Sequence, residues 1–216
     1  MSRPLRLFAE ETPKKVYVSA LDWPGLARGA KTEDQAVELL LAALARYAKV
    51  ARSAGERFDP TDMDLEIVER AEGDAGTAFG IPAIVADADR EAVDAREARR
   101  LAAIVEASWA ELEAVAAAAP EELRKGPRGG GRDRSKVVLH VAEADRGYGQ
   151  AMGLKGSIDT PEQLADLRAT ILETLRRSSD GSPIGGKKWP PRYAARRVAW
   201  HALDHAWEIE DRTERA

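Results

Sequence analysis

The chain has three histidines in 216 residues, His140, His201 and His205, and their spacing suits a single divalent ion. His201 and His205 lie in AWHALDHAWE, four residues apart, so on a helix their imidazoles stand one turn above the other on one face. His140 lies in RSKVVLHVAEADRGY, in line with Val137, Val141, Ala144 and Tyr148 on a second helical stretch, so all three imidazoles are expected to point inward. Three imidazole nitrogens with no fourth protein ligand make a centre that keeps a position open for water or substrate.

Either feature alone also fits a histidine satisfied within a core. Together they favour a metal, because three imidazoles buried near each other leave several polar groups without partners, each costing ~1–3 kcal/mol, and one ion satisfies them all. Glu208 follows His205 by three residues and Glu143 follows His140 by three. Each can orient a ligand or act as a base near the open position, and each equally fits a solvated carboxylate on a charged helix.

The rest of the composition narrows the chemistry. With no cysteine, disulfides, thiolate ligands and a cysteine nucleophile are excluded. The opening MSRPLRLFAEETPKK lacks the apolar run of a signal peptide, and no stretch approaches the ~20 apolar residues of a membrane span, so a cytoplasmic protein without a membrane partner is expected. Basic and acidic residues number 12 and 16 up to Arg90 and 21 each afterwards, which leaves no basic face for nucleic acid.

The elements that must hold the histidines are legible from pattern. KVYVSAL reads as a strand, DWPGLARGA as turn chemistry, and TEDQAVELLLAALARYAKVARSAG as an amphipathic helix capped by Thr32 and closed by Gly55; DMDLEIVER is a further strand. Residues 73–92, rich in Gly, Ala and Pro, read as a linker between a small α/β module at 1–72 and a helical part at 93–216. The helical part comprises a long helix stopped at Pro120, a second carrying His140, a third capped by Thr160 with Pro161 in its first turn, and a fourth from Pro191 to about Arg212. Four helices with apolar stripes argue a bundle, and the fold class is α+β.

Two resemblances follow from these residues. LDWPG followed by a helix opening on KTEDQAVE resembles the HicB-like fold of antitoxin-type domains over about fifty residues, though no separate DNA-binding segment follows it. Four helices with a histidine early in the second and an HxxxH pair in the fourth resemble the DinB/YfiT-like superfamily of metalloenzymes, from about Asp94 to Arg212. That resemblance implies an up-down-down-up helix order, His140, His201 and His205 as ligands of a divalent metal such as zinc or nickel, and in some members a low-molecular-weight thiol cosubstrate. Here His205 is followed by Ala206, Trp207 and Glu208, where many members continue with an Arg-Gly-Gln-like sequence. Independently, His140 stands roughly 8 Å along its helix while His201 and His205 average about 13 Å from the end of theirs, which calls for an antiparallel second and fourth helix.

GPRGGGRDRSK, residues 126–136, brings glycine and positive charge to the start of the His140 helix. Gly130 and its neighbours allow backbone amides to approach a ligand, and Arg128, Arg132 and Arg134 offer charge-assisted hydrogen bonds to an anionic small-molecule substrate. A metal-dependent transferase, isomerase or hydrolase is the leading expectation. A non-catalytic scaffold, with the HicB-like module recognising a protein partner, is the alternative, and a homodimer stays open.

Overall fold

The computed structural model describes residues 4–61, 63–125 and 131–213. Strands β1 (Leu5–Thr12), β2 (Lys15–Ala20), β3 (Ala27–Ala30) and β4 (Leu65–Glu72) form one mixed sheet in the order β3-β2-β1-β4. β1 pairs antiparallel with β2 and parallel with β4, while helix α1 (Glu33–Ser53) makes the crossover. Thr32 caps α1 by accepting from the Gln35 amide. Two strands lie outside the sequence reading: β1, in the N-terminal segment that lacks an apolar run, and β3, in a stretch whose Pro24 and Gly25 mark a turn.

The central strand β1 is buried on both faces, and its residues divide with period two. Leu5, Leu7 and Ala9 join Val16 and Val18 against Leu40, Leu44, Tyr47 and Val50 of α1. Phe8 and Glu10 point the other way, into the segment that composition marks as a linker. That segment carries a short helix α2 (Ala75–Phe79) and a 3-10 turn at Asp87–Arg90. It covers the second sheet face: Phe8 packs with Leu21 and Ala86, and buried Glu10 accepts from the Thr77 hydroxyl at 2.6 Å and from the Ala83 and Ile84 amides at 2.8 and 3.2 Å. Three donors suit a buried carboxylate, although burial still pushes its pKa up.

The helical part is built from α3 (Ala95–Ala118), α4 (Arg134–Ala151), α5 (Pro161–Leu175) and α6 (Pro191–Arg212). Asp94 caps α3, and just before the cap Val93 pairs with Ser179 in an isolated bridge. Contacts fix the directions. Glu97 pairs with Arg192 at one end and the Arg124 amide meets the Arg212 carbonyl at the other, so α3 and α6 run parallel. Trp109 bonds to Asp145 and Arg134 to the Ala116 and Ala119 carbonyls, which makes α4 antiparallel to α3. Arg176 pairs with Glu106 and Arg168 with Glu113, so α5 is antiparallel to α3 as well. Buried Asp145 ties three helices by accepting from Trp109 at 3.3 Å and Arg168 at 2.9 Å; burial pushes its carboxyl up to about 6.

The two parts share a core. The apolar cluster under the sheet continues through Leu112 of α3, Val137 and Val141 of α4, and Leu203, Ala206 and Trp207 of α6. The LDWPG turn makes the closest approach. Gly25 sits at φ +94°, and a Cβ there would meet the Leu203 side chain at 2.8 Å and Ala199 at 3.1 Å, so only glycine lets the turn lie against α6. Tyr193 of α6 donates to the Ala83 carbonyl at 2.9 Å, and Arg196 forms a buried ion pair with Asp89. Residues 73–92 are thus bonded to the sheet on one side and to the histidine-bearing helix on the other. Among the described residues no helix is long and apolar enough to cross a membrane.

Candidate metal centre

Helix α6 starts at Pro191, whose fixed φ suits the first helical position and whose missing N–H is not needed there. Ala194, Ala195, Ala199 and Ala202 keep one flank thin enough to lie against α3, and the adjoining stripe presents His201 and His205 toward α4. α4 begins after Asp133 and, running antiparallel to α6, brings His140 level with that pair.

The three rings meet edge to face, with centroids 5.1 Å apart for His140 and His201, 5.0 Å for His140 and His205, and 4.7 Å for His201 and His205. One ring nitrogen from each lies within 4.8 Å of the others, so the cluster can hold a metal ion. No Asp, Glu or fourth His joins the group among the described residues. Two observations test the fit. His201 Nδ1 is buried with no hydrogen-bond partner, an orphan that an ion would satisfy. His205 Nδ1 lies 2.7 Å from Glu208 Oε2, and Arg212 donates to Glu208 Oε1 at 2.6 Å. The hydrogen bond to His205 holds the Glu208 carboxyl below its ordinary range, as does Arg212, so His205 Nδ1–H is the donor and Nε2 keeps its lone pair for an ion.

Burial works against a proton on His201 and His140, and a neutral imidazole is the state that binds metal. Burial pushes His201 down to about 2, with the positive charges of its neighbours His205, Arg197, His140 and Arg132 acting in the same direction. Burial also lowers His140, reinforced by Arg132 and His205 and opposed by Glu143 and Glu208. Because His201 titrates near 6.5 when exposed and near 2 when folded, the unfolded chain binds the extra proton between those values. Metal-free protein should therefore lose stability as pH falls below about 6.5, by on the order of 1 kcal/mol per pH unit from this group. Urea melts of chelator-treated wild type and His201→Asn at a series of pH values check this. Identical slopes for the two proteins would contradict it.

The other residues singled out from sequence fall in different places. Glu208 is engaged through both oxygens, as an orienting group for His205. Glu143 is exposed and reaches His140 through its charge. Arg132 is exposed, yet its charge is felt by both His140 and His201. Arg134 turns to the end of α3, where it bonds Glu121 and the Ala116 and Ala119 carbonyls. Gly131, at φ +123°, lies against the Arg212 guanidinium, which a Cβ would approach to 2.6 Å. Arg128 and Gly130 lie outside the described residues.

Two neighbours, Tyr148 and Arg197, were not singled out as functional by sequence reasoning; a third, Trp200, reads from sequence as core by default, with a pocket wall as the lesser alternative. The rings of Tyr148 and Trp200 stand 5.7 and 5.8 Å from His201 and shield it from water. The Arg197 guanidinium lies over both, at 5.2 and 4.7 Å from their centroids. A signal existed, since Arg197, His201 and His205 recur every four residues on one helical face. Comparison with protein-family models, with curated proteins and with solved structures returns no match to this chain, so the site is read from its own geometry.

Proposed function

We propose that this chain is a metal-dependent enzyme of the DinB-like type, in which His140, His201 and His205 hold one divalent ion, zinc or nickel, between α4 and α6 of a four-helix bundle. The observation that carries the reading is the convergence of three imidazoles on a position to which the protein offers no fourth ligand among the described residues. Bound there, the ion supplies Lewis acidity that activates water or a small thiol cosubstrate, or polarises a substrate oxygen, for transfer, isomerisation or hydrolysis.

The chain's own residues then have distinct tasks. Glu208, clamped by Arg212, fixes the tautomer and direction of His205. Tyr148 and Trp200 wall off His201 on the protein side, while the partly exposed His140 faces the side where substrate enters. Glu143, exposed and one turn past His140, is the carboxylate left free to take a proton. Arg132 adds positive charge at the mouth, which favours an anionic substrate. The HicB-like module supports α6 from behind through Gly25, and the 73–92 segment does so through Asp89.

Chelator is expected to lower the melting temperature of purified protein by roughly 5 °C or more, with recovery on adding zinc or nickel. Glu208→Ala should weaken metal affinity by about 10–100-fold in competition with a chromophoric chelator. A melting temperature indifferent to chelator and to added metal would favour a scaffold role instead.

A further inference from the structure

A largely buried tyrosine ordinarily hydrogen-bonds its hydroxyl, because the oxygen is costly to leave unpaired away from water. Three of the four tyrosines here follow that rule. Tyr17 donates to the Gly80 carbonyl at 2.6 Å, Tyr47 to the Pro24 carbonyl at 2.8 Å, and Tyr193 to the Ala83 carbonyl at 2.9 Å. Tyr148 does not. It is half-buried, its hydroxyl has no partner among the described residues, and the oxygen is not sealed in but stays in contact with water.

The ring is nevertheless held on three sides. Trp189 packs at 5.3 Å, the His201 ring meets it edge to face at 5.7 Å, and the Arg197 guanidinium lies over it at 5.2 Å. Packing alone thus fixes the hydroxyl, and its donor is left over for something outside the chain. A phenol keeps its proton at neutral pH. Arg197, which pairs with no carboxylate among the described residues, places a positive charge on the ring face and so makes the O–H the stronger donor.

The hydroxyl also stands on the open side of the site. His140, Ala144 and Tyr148 recur every four residues along α4 and are all half-buried, whereas Val137 and Val141 beside them are fully buried. That stripe is the rim of the cleft between α4 and α6. Side chains on a helix lean toward its N-terminus, so Tyr148 leans along the rim toward His140, over an Ala144 that contributes only a methyl group.

We propose that Tyr148 is a further catalytic residue of the metal site: its hydroxyl donates to an oxygen or sulfur of the ligand group that takes the position left open by His140, His201 and His205. The inference rests on the metal reading of that site. A donor aimed there favours groups on which negative charge resides or grows, so the substrate class is one that presents a carbonyl or carboxylate oxygen or a thiolate.

Cobalt in place of zinc makes the site visible by its absorption bands, and acetate and imidazole serve as probes of the open position. Bound acetate keeps lone pairs that accept from Tyr148; imidazole, coordinated through its one free lone pair, keeps none. Tyr148→Phe removes only an oxygen that bonds to nothing in the chain, so cobalt content and metal-free melting temperature should match wild type. The ratio of acetate to imidazole affinity should fall about tenfold in the variant. An unchanged ratio at full cobalt content would overturn the role of Tyr148 and leave the metal reading standing. A metal-free variant that melts several degrees below wild type, or fails to fold, would overturn it too, by showing that the hydroxyl serves the fold. Wild type that takes up no cobalt would overturn the metal reading and this inference with it.

Discussion

His201→Ala should abolish metal binding, and with it the whole metal-dependent rise in melting temperature. His201 is the most buried of the three imidazoles, burial works against its protonation, and its Nδ1 has no partner without an ion. At a free metal concentration of about 1,000 Kd the wild-type chain gains ~4 kcal/mol of stability, and the variant should gain none. His140→Ala, on the more exposed side of α4, should leave a two-imidazole site that binds much more weakly but measurably. Elemental analysis and parallel melts with and without zinc check both variants. Full metal content in His201→Ala would show that the ion sits elsewhere.

The second large effect concerns the buried pair that joins residues 73–92 to α6. Arg196 donates from Nε to Asp89 Oδ1 at 2.8 Å and from Nη2 to Oδ2, with the side chains 6% and 1% exposed. Asp89 also accepts from the Ala86 amide at 2.9 Å, which closes the 3-10 turn. Asp89→Ala leaves a guanidinium buried without an anion and should cost about 3–5 kcal/mol, whereas removing both charges in Asp89→Leu with Arg196→Met should recover much of that. Glu33→Ala, which breaks the exposed pair with Arg70, should cost ~1 kcal/mol or less. Denaturant midpoints give the comparison. A loss in Asp89→Ala no greater than in Glu33→Ala would mean that residues 73–92 act as a loose connection after all.

That segment shows where sequence stops being legible. Glycine, alanine and proline in GDAGTAFGIPAIVADAD are the residues of a solvated linker and equally of a chain pressed close to a sheet face, and composition does not separate the two. The polar anchors that decide the matter, Glu10 and Asp89, look like any surface acid until their partners at Ala83, Ile84 and Arg196 are in place. β1 is hidden for a related reason. Its buried run ends on Glu10 with exposed Glu11 after it, and its partner β4 lies more than fifty residues away, so strand pairing outweighs a weak local pattern.

The histidines are legible because their information is local. A four-residue spacing on one helix and an inward phase on another survive errors of several residues in the helix ends, and the antiparallel run of α4 and α6 then follows from heights along the axes. The link from Glu208 to His205 is legible for the same reason, being three residues along one helix. Arg197 is only half legible. Its place on the stripe can be counted from sequence, but its lack of a carboxylate is a property of what α4 places opposite it, namely Tyr148.

The central claim is that three imidazoles and no other protein group hold one ion. X-ray absorption spectroscopy of the zinc-loaded protein tests it most directly, because imidazole rings give outer-shell scattering that oxygen donors do not. The expected spectrum fits three imidazoles and at least one light-atom donor that exchanges with solvent or added ligand. A fit with fewer than three imidazoles, or with a further protein carboxylate filling the fourth position, would contradict the account.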